Sequence, residues 1–116
     1  MYRTWVVIVG DFETSREKII RLLRETTRPL TVREIISILQ LNTTPREVYE
    51  DLLHIAKSVF SKSNGEEVLL MEPPRCRKCG YVFKDLGRPK EVSRCPRCKS
   101  EWIEPPRFII SKRGNH

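Results

Sequence analysis

Apolar residues recur at helical spacing in three consecutive stretches of the first half of the chain. Ile19, Ile20, Leu22 and Leu23 fall on one face of a helix from about Ser15 to Glu25. Val32, Ile35, Ile36 and Leu39 do the same for a helix from Val32 to Leu39 or Gln40. Val48, Leu52, Ile55, Ala56 and Val59 line a third helix that reaches about Ser58 or Phe60. Each stretch opens on Thr followed three residues later by Glu: Thr14 and Glu17, Thr31 and Glu34, Thr44 and Glu47. In such a capping box the Thr hydroxyl accepts the amide of the Glu, and the Glu carboxylate accepts the amide of the Thr. Pro45 adds the proline favoured at the first helical position.

The remaining apolar runs have strand character. Trp5 to Val9 is a β-branched run closed by Gly10 and Asp11, and reads as a short strand that either extends a sheet or makes a dimer contact. Arg28-Pro29-Leu30 offers a very short strand before the second helix. After the third helix, Asn64-Gly65 suits a turn with positive φ. Glu67 to Met71 then leads into Glu72-Pro73-Pro74-Arg75, and the same four letters return as Glu104-Pro105-Pro106-Arg107 before Phe108, Ile109 and Ile110. The repeat implies two antiparallel strands whose Pro-Pro corners face each other, with everything between inserted at the end of a hairpin. Inside the insertion, Gly80–Lys84 and Ser100–Ile103 alternate as ribbon strands around an Asp85–Pro89 loop. Tyr81, Phe83 and Trp102 are expected to pack there, base stacking being their other use. Lys112–His116 has nothing apolar to anchor it and reads as a mobile tail.

The insertion holds all four cysteines, Cys76, Cys79, Cys95 and Cys98, as two Cys-x-x-Cys pairs fifteen residues apart. Two residues between cysteines let one tight turn aim both sulfurs at one metal, and fifteen allow a hairpin to return the second pair opposite the first. Two disulfides or four buried thiols are the competing readings. No export signal is seen, which points to a reducing cytoplasm where paired cysteines are more often metal ligands. Thiolates select zinc, one ion per chain, with iron as the other possibility. Four of them close a tetrahedron and leave no position for a catalytic water. With no Gly-rich phosphate loop and no nucleophile near either histidine, the chain is not expected to be an enzyme. No apolar run approaches a membrane span.

Charge sharpens the division. The chain of 116 residues carries a net +7. Residues 1–74 hold ten Lys or Arg against eleven Asp or Glu, whereas residues 75–116 hold twelve against four. The basic excess therefore lives with the cysteines. Four thiolates on one Zn²⁺ add −2 and bring the loaded chain to about +5.

A helix followed by two capped helices across a short turn is a helix-turn-helix arrangement, and the hairpin beyond is where a winged helix carries its wing. At this point the chain resembles the archaeal predicted transcriptional regulators in which a winged helix-turn-helix is fused to a rubredoxin-like zinc ribbon. The resemblance spans about Thr14 to Ile110. It rests on the knuckle Cys76-Arg77-Lys78-Cys79-Gly80-Tyr81-Val82-Phe83, the knuckle Ser93-Arg94-Cys95-Pro96-Arg97-Cys98-Lys99-Ser100, and the exit Glu101-Trp102-Ile103-Glu104-Pro105-Pro106-Arg107-Phe108. It implies a cytoplasmic zinc protein that binds DNA, with the four cysteines as ligands. Lys99 stands where such knuckles usually have glycine, which implies mild backbone strain.

The expected fold is α+β, with an N-terminal strand and linker (1–13), a winged helix-turn-helix (14–74), a zinc ribbon (75–107), a returning strand (108–111) and a tail (112–116). The expected function is a DNA-binding transcriptional regulator acting on double-stranded DNA as monomer or homodimer. Arg46, Tyr49 and Lys57 of the third helix and Arg88, Lys90 and Arg94 of the ribbon are its candidate contacts. Against a recognition role, that helix also exposes Glu47, Glu50 and Asp51, and carboxylates repel phosphate. The alternatives are a protein-interaction adaptor of the transcription or RNA machinery and an iron electron carrier.

Overall fold

The computed structural model describes residues 13–114. The strand expected at Trp5–Val9, and the last two residues with His116, lie outside them. The elements are helices α1 (Ser15–Glu25), α2 (Val32–Leu39) and α3 (Pro45–Lys62) and strands β1 (Glu67–Glu72), β2 (Arg75–Cys76), β3 (Ile103–Glu104) and β4 (Arg107–Lys112). The fold is α+β, with three helices, two small antiparallel sheets and a ribbon among the described residues.

All three capping boxes form. Thr14 accepts the Glu17 amide at 3.1 Å while its own amide donates to Glu17 at 2.8 Å, and Thr31 and Glu34 repeat these distances. Thr44 and Glu47 close theirs at 3.3 Å each way. Gln40 ends α2 in the left-handed region at φ 52°, so the chain reverses at once into α3. α3 runs on to Lys62, past the expected end near Ser58 or Phe60. It stops where Asn64 and Gly65 both take positive φ and the Gly65 amide donates to the Phe60 carbonyl at 2.8 Å.

One core joins the helices to the longer sheet. Ile19 and Leu23 of α1, Val32 and Ile35 of α2, and Val48, Leu52, Ile55 and Val59 of α3 meet Phe108 and Ile110 of β4. Full burial of such aliphatic side chains stabilises by about 1.5–3 kcal/mol each. β1 and β4 pair from Glu67↔Lys112 to Glu72↔Arg107. Lys112, expected to begin the tail, is thus still in the strand. Leu30 and Phe108 exchange both backbone hydrogen bonds at 2.9 and 2.8 Å, which makes Leu30 a one-residue third strand. Arg24 grips Glu67 through two nitrogens at 2.9 and 3.0 Å and ties the end of α1 to β1.

The Pro-Pro corners do face each other. Pro74 and Pro106 are fully buried, and beyond them Arg75↔Glu104 and Cys76↔Ile103 pair as β2 and β3. The strands expected at Gly80–Lys84 and Ser100–Ile103 form only in part. Val82 makes a single bridge to Arg75, and the ladder is built from Arg75 and Cys76 instead. The reason lies in the first knuckle: the Cys76 amide donates to the Tyr81 carbonyl at 2.8 Å, so the chain turns back on itself before a longer strand can grow. No helix among the described residues is long and apolar enough to cross a membrane.

Candidate functional site

The two cysteine knuckles are built alike. In the first, the Gly80 amide donates to the Cys76 carbonyl at 2.9 Å and the Cys76 amide to the Tyr81 carbonyl at 2.8 Å. In the second, the Lys99 amide donates to the Cys95 carbonyl at 2.9 Å and the Cys95 amide to the Ser100 carbonyl at 2.9 Å. Each turn needs a left-handed residue just after its second cysteine, filled by Gly80 at φ 82° and by Lys99 at φ 67°. Lys99 therefore carries the strain that its side chain implied.

The turns bring the four sulfurs within 4.8 Å of one another. Cys76 and Cys98 are 3.6 Å apart, as are Cys79 and Cys95. A disulfide would bring sulfurs to about 2.05 Å. A tetrahedron of thiolates at about 2.3 Å from Zn²⁺ has edges of about 3.8 Å, which the observed spacing matches. Cys76 and Cys95 are buried, and Cys79 and Cys98 half-buried.

The backbone prepares these sulfurs for charge. The Cys79 amide, with that of Lys78, holds the Cys76 thiol down at about 6. Burial raises Cys95, but the amides of Cys98 and Arg97 outweigh it and hold that thiol below its ordinary value. At Cys98 the Ser100 amide pulls down, yet burial and three neighbouring sulfurs push the thiol up to about 11. Four sulfurs so close cannot all ionise alone, and a divalent cation supplies the missing positive charge.

Comparison with known proteins agrees with this geometry. Residues 14–69 match the family model described as PF0610-like, N-terminal, and residues 73–113 match the PF0610 rubredoxin-like zinc beta-ribbon domain. The solution NMR structure of protein PF0610 from Pyrococcus furiosus is 38% identical, covers 84% of this chain and 88% of its own, and superposes with a TM-score of 0.64. The chain belongs to the PF0610-like family. No curated protein matches it. The family's ribbon is a zinc ribbon, and Cys76, Cys79, Cys95 and Cys98 hold one zinc ion per chain. Bound there, zinc cross-links the two knuckles.

Packing around the site differs from expectation at one aromatic. Tyr81 and Phe83 stack edge to face at 5.1 Å, with Arg97 over the Tyr81 ring, but Trp102 is 61% exposed. Its carbonyl accepts the Arg77 amide at 2.9 Å, beside the short β2–β3 ladder. Glu104 anchors the base of the ribbon, within 3.4–3.8 Å of Arg75, Arg77 and Arg107.

The candidate nucleic-acid residues fall into separate sets. Arg46, Tyr49, Arg88 and Lys90 line one groove of ≈ 490 Å³ between α3 and the ribbon loop, together with Glu50, Leu53, Pro89 and Glu91. Lys57 follows Arg46, Glu50 and Leu53 at helical spacing and is exposed. Arg94 lies apart, 3.5 Å from Glu101. Tyr49 departs from its expected exposure: it is 7% exposed and meets Phe108 edge to face at 6.2 Å. Its burial, with Glu91 nearby, pushes its hydroxyl up to about 12. The carboxylates of α3 also sort out. Glu47 serves its cap and Asp51 takes Arg16 at 2.9 Å, which leaves Glu50 facing the groove.

Proposed function

We propose that this protein is a DNA-binding transcriptional regulator in which α2 and α3 act as a helix-turn-helix and the β1–β4 hairpin as a wing that carries the zinc ribbon. The observation that carries the reading is the antiparallel register from Glu67↔Lys112 to Glu72↔Arg107. It sets the zinc ribbon, residues 75–106, in which nine Lys or Arg outnumber four Asp or Glu, at the tip of a hairpin beside α3. Clustered Lys and Arg supply phosphate affinity, and helix residues supply shape and base contacts.

The pairing of Asp51 with Arg16 further supports the reading, since it offsets one of the carboxylates that α3 would present to phosphate. Zinc has a structural part only, since four thiolates leave no open coordination position, and the protein is not an enzyme. Double-stranded DNA is the partner, and a reducing cytoplasm suits the thiolate site.

Selection of bound duplexes from a random pool by the zinc-loaded protein, at two salt concentrations, tests the reading. Enrichment of a sequence, or a shift that weakens steeply with salt, is expected. A zinc-loaded protein that shifts no duplex at low salt would overturn it.

A further inference from the structure

We infer that the groove between α3 and the ribbon loop seats the sugar-phosphate backbone of one DNA strand, with Arg46, Arg88 and Lys90 as its phosphate contacts. The inference rests on the DNA-binding reading and changes its geometry. Arg46, Glu50 and Leu53 lie at i, i+4 and i+7, so they form one outward face of α3, and the loop residues Arg88 to Glu91 stand along that face as a second wall. A helix with its side chains is about 10–12 Å across and a major groove about 12 Å wide, so one helix fills the groove. α3 with the ribbon loop beside this face does not fit. A single strand of backbone does fit between two walls that enclose ≈ 490 Å³.

The chemistry of the walls agrees. Arg46 comes from the helix, Arg88 and Lys90 from the loop, and none of the three makes an ion pair among the described residues. Three cations from two elements thus converge on one cleft. Arg94, by contrast, is already beside Glu101 at 3.5 Å and outside the groove. Glu50 and Glu91 lie in the groove and oppose phosphate, so they limit affinity rather than create it.

The test compares salt dependence in full-length, zinc-loaded protein bound to a mixed-sequence duplex. One variant is Arg46→Gln, Arg88→Gln and Lys90→Gln together. Its control is Lys18→Gln, Arg21→Gln and Lys62→Gln, which removes equal charge outside the ribbon and the groove, and zinc content and amide spectra establish that both remain folded. Each phosphate contact contributes about 0.9 to the slope of log K against log salt, so the groove variant is expected to lower the slope by about 2–3 and the control by far less. Glu50→Gln is expected to tighten binding several-fold. Equal slopes in the two triple variants, with wild-type binding intact, would overturn the groove and leave DNA binding standing. A wild-type chain that binds no duplex at low salt would overturn both.

Discussion

The Lys99 amide donates to the Cys95 carbonyl at 2.9 Å from a left-handed backbone, the same bond that Gly80 makes to Cys76 across the metal site. Glycine adopts that conformation freely and lysine at a cost of about 1 kcal/mol. Lys99→Gly is therefore expected to stabilise the ribbon by about 0.5–1 kcal/mol, and Gly80→Ala to destabilise it by a similar amount. No heavy atom lies within 4 Å of a Cβ added at Gly80, so the second effect is one of backbone alone. Zinc competition with a chelator measures both, and equal zinc retention in the two variants would refute the symmetry of the knuckles.

The capping boxes make stability depend on acid. Backbone bonds from Thr14 and Thr31 hold Glu17 and Glu34 below their ordinary value, Arg28 adding to the effect at Glu34, and the Thr43 hydroxyl leads at Glu47. A carboxylate with a lowered folded value stabilises above its unfolded value of 4.5, and that contribution is lost as pH falls through the folded one. Glu34→Gln should flatten the loss of melting temperature between pH 5 and 3, and Thr31→Ala should cost about 1 kcal/mol at pH 7. An unchanged acid profile in Glu34→Gln would show that its box does not contribute.

Tyr49 gives the opposite sign at the other end of the scale. Its hydroxyl stays protonated up to about 12 in the fold, against 10.0 ordinarily. The folded state thus holds the proton longer, and stability present below pH 10 declines as pH rises towards 12. Tyr49→Phe should decline less over that range than wild type. Phenolate absorbance that titrates entirely near pH 10 would contradict the burial.

Much of this architecture is legible in the chain because its signals are local. Three Thr-to-Glu boxes mark the starts of α1, α2 and α3, and the repeated Glu-Pro-Pro-Arg marks the corners where the ribbon enters and leaves. Cys-x-x-Cys spacing names the metal ligands, and the glycine-like position of Lys99 names the strained turn. What local pattern could not reveal depends on distant partners. Tyr49 adjoins the core position Val48 but reads as surface until Phe108, far along the chain, covers it. The groove needs α3 and the 88–91 loop together, and nothing near Arg46 announces Arg88. The ribbon strands were displaced because knuckle hydrogen bonds override an alternating pattern at Tyr81 to Phe83.

If the protein binds DNA as proposed, zinc at the four cysteines builds the surface that does so. Structural zinc contributes on the order of 10 kcal/mol to small ribbons, so its loss, or Cys95→Ser, should unfold residues 75–107 and scatter Arg88 and Lys90 from Arg46. The decisive measurement is duplex affinity at low and high salt for zinc-loaded, zinc-stripped and zinc-restored protein under reducing conditions. Tight, salt-sensitive binding that disappears on stripping and returns with zinc is the predicted result. Equal affinity with and without zinc, or no binding by the zinc-loaded chain, would contradict it.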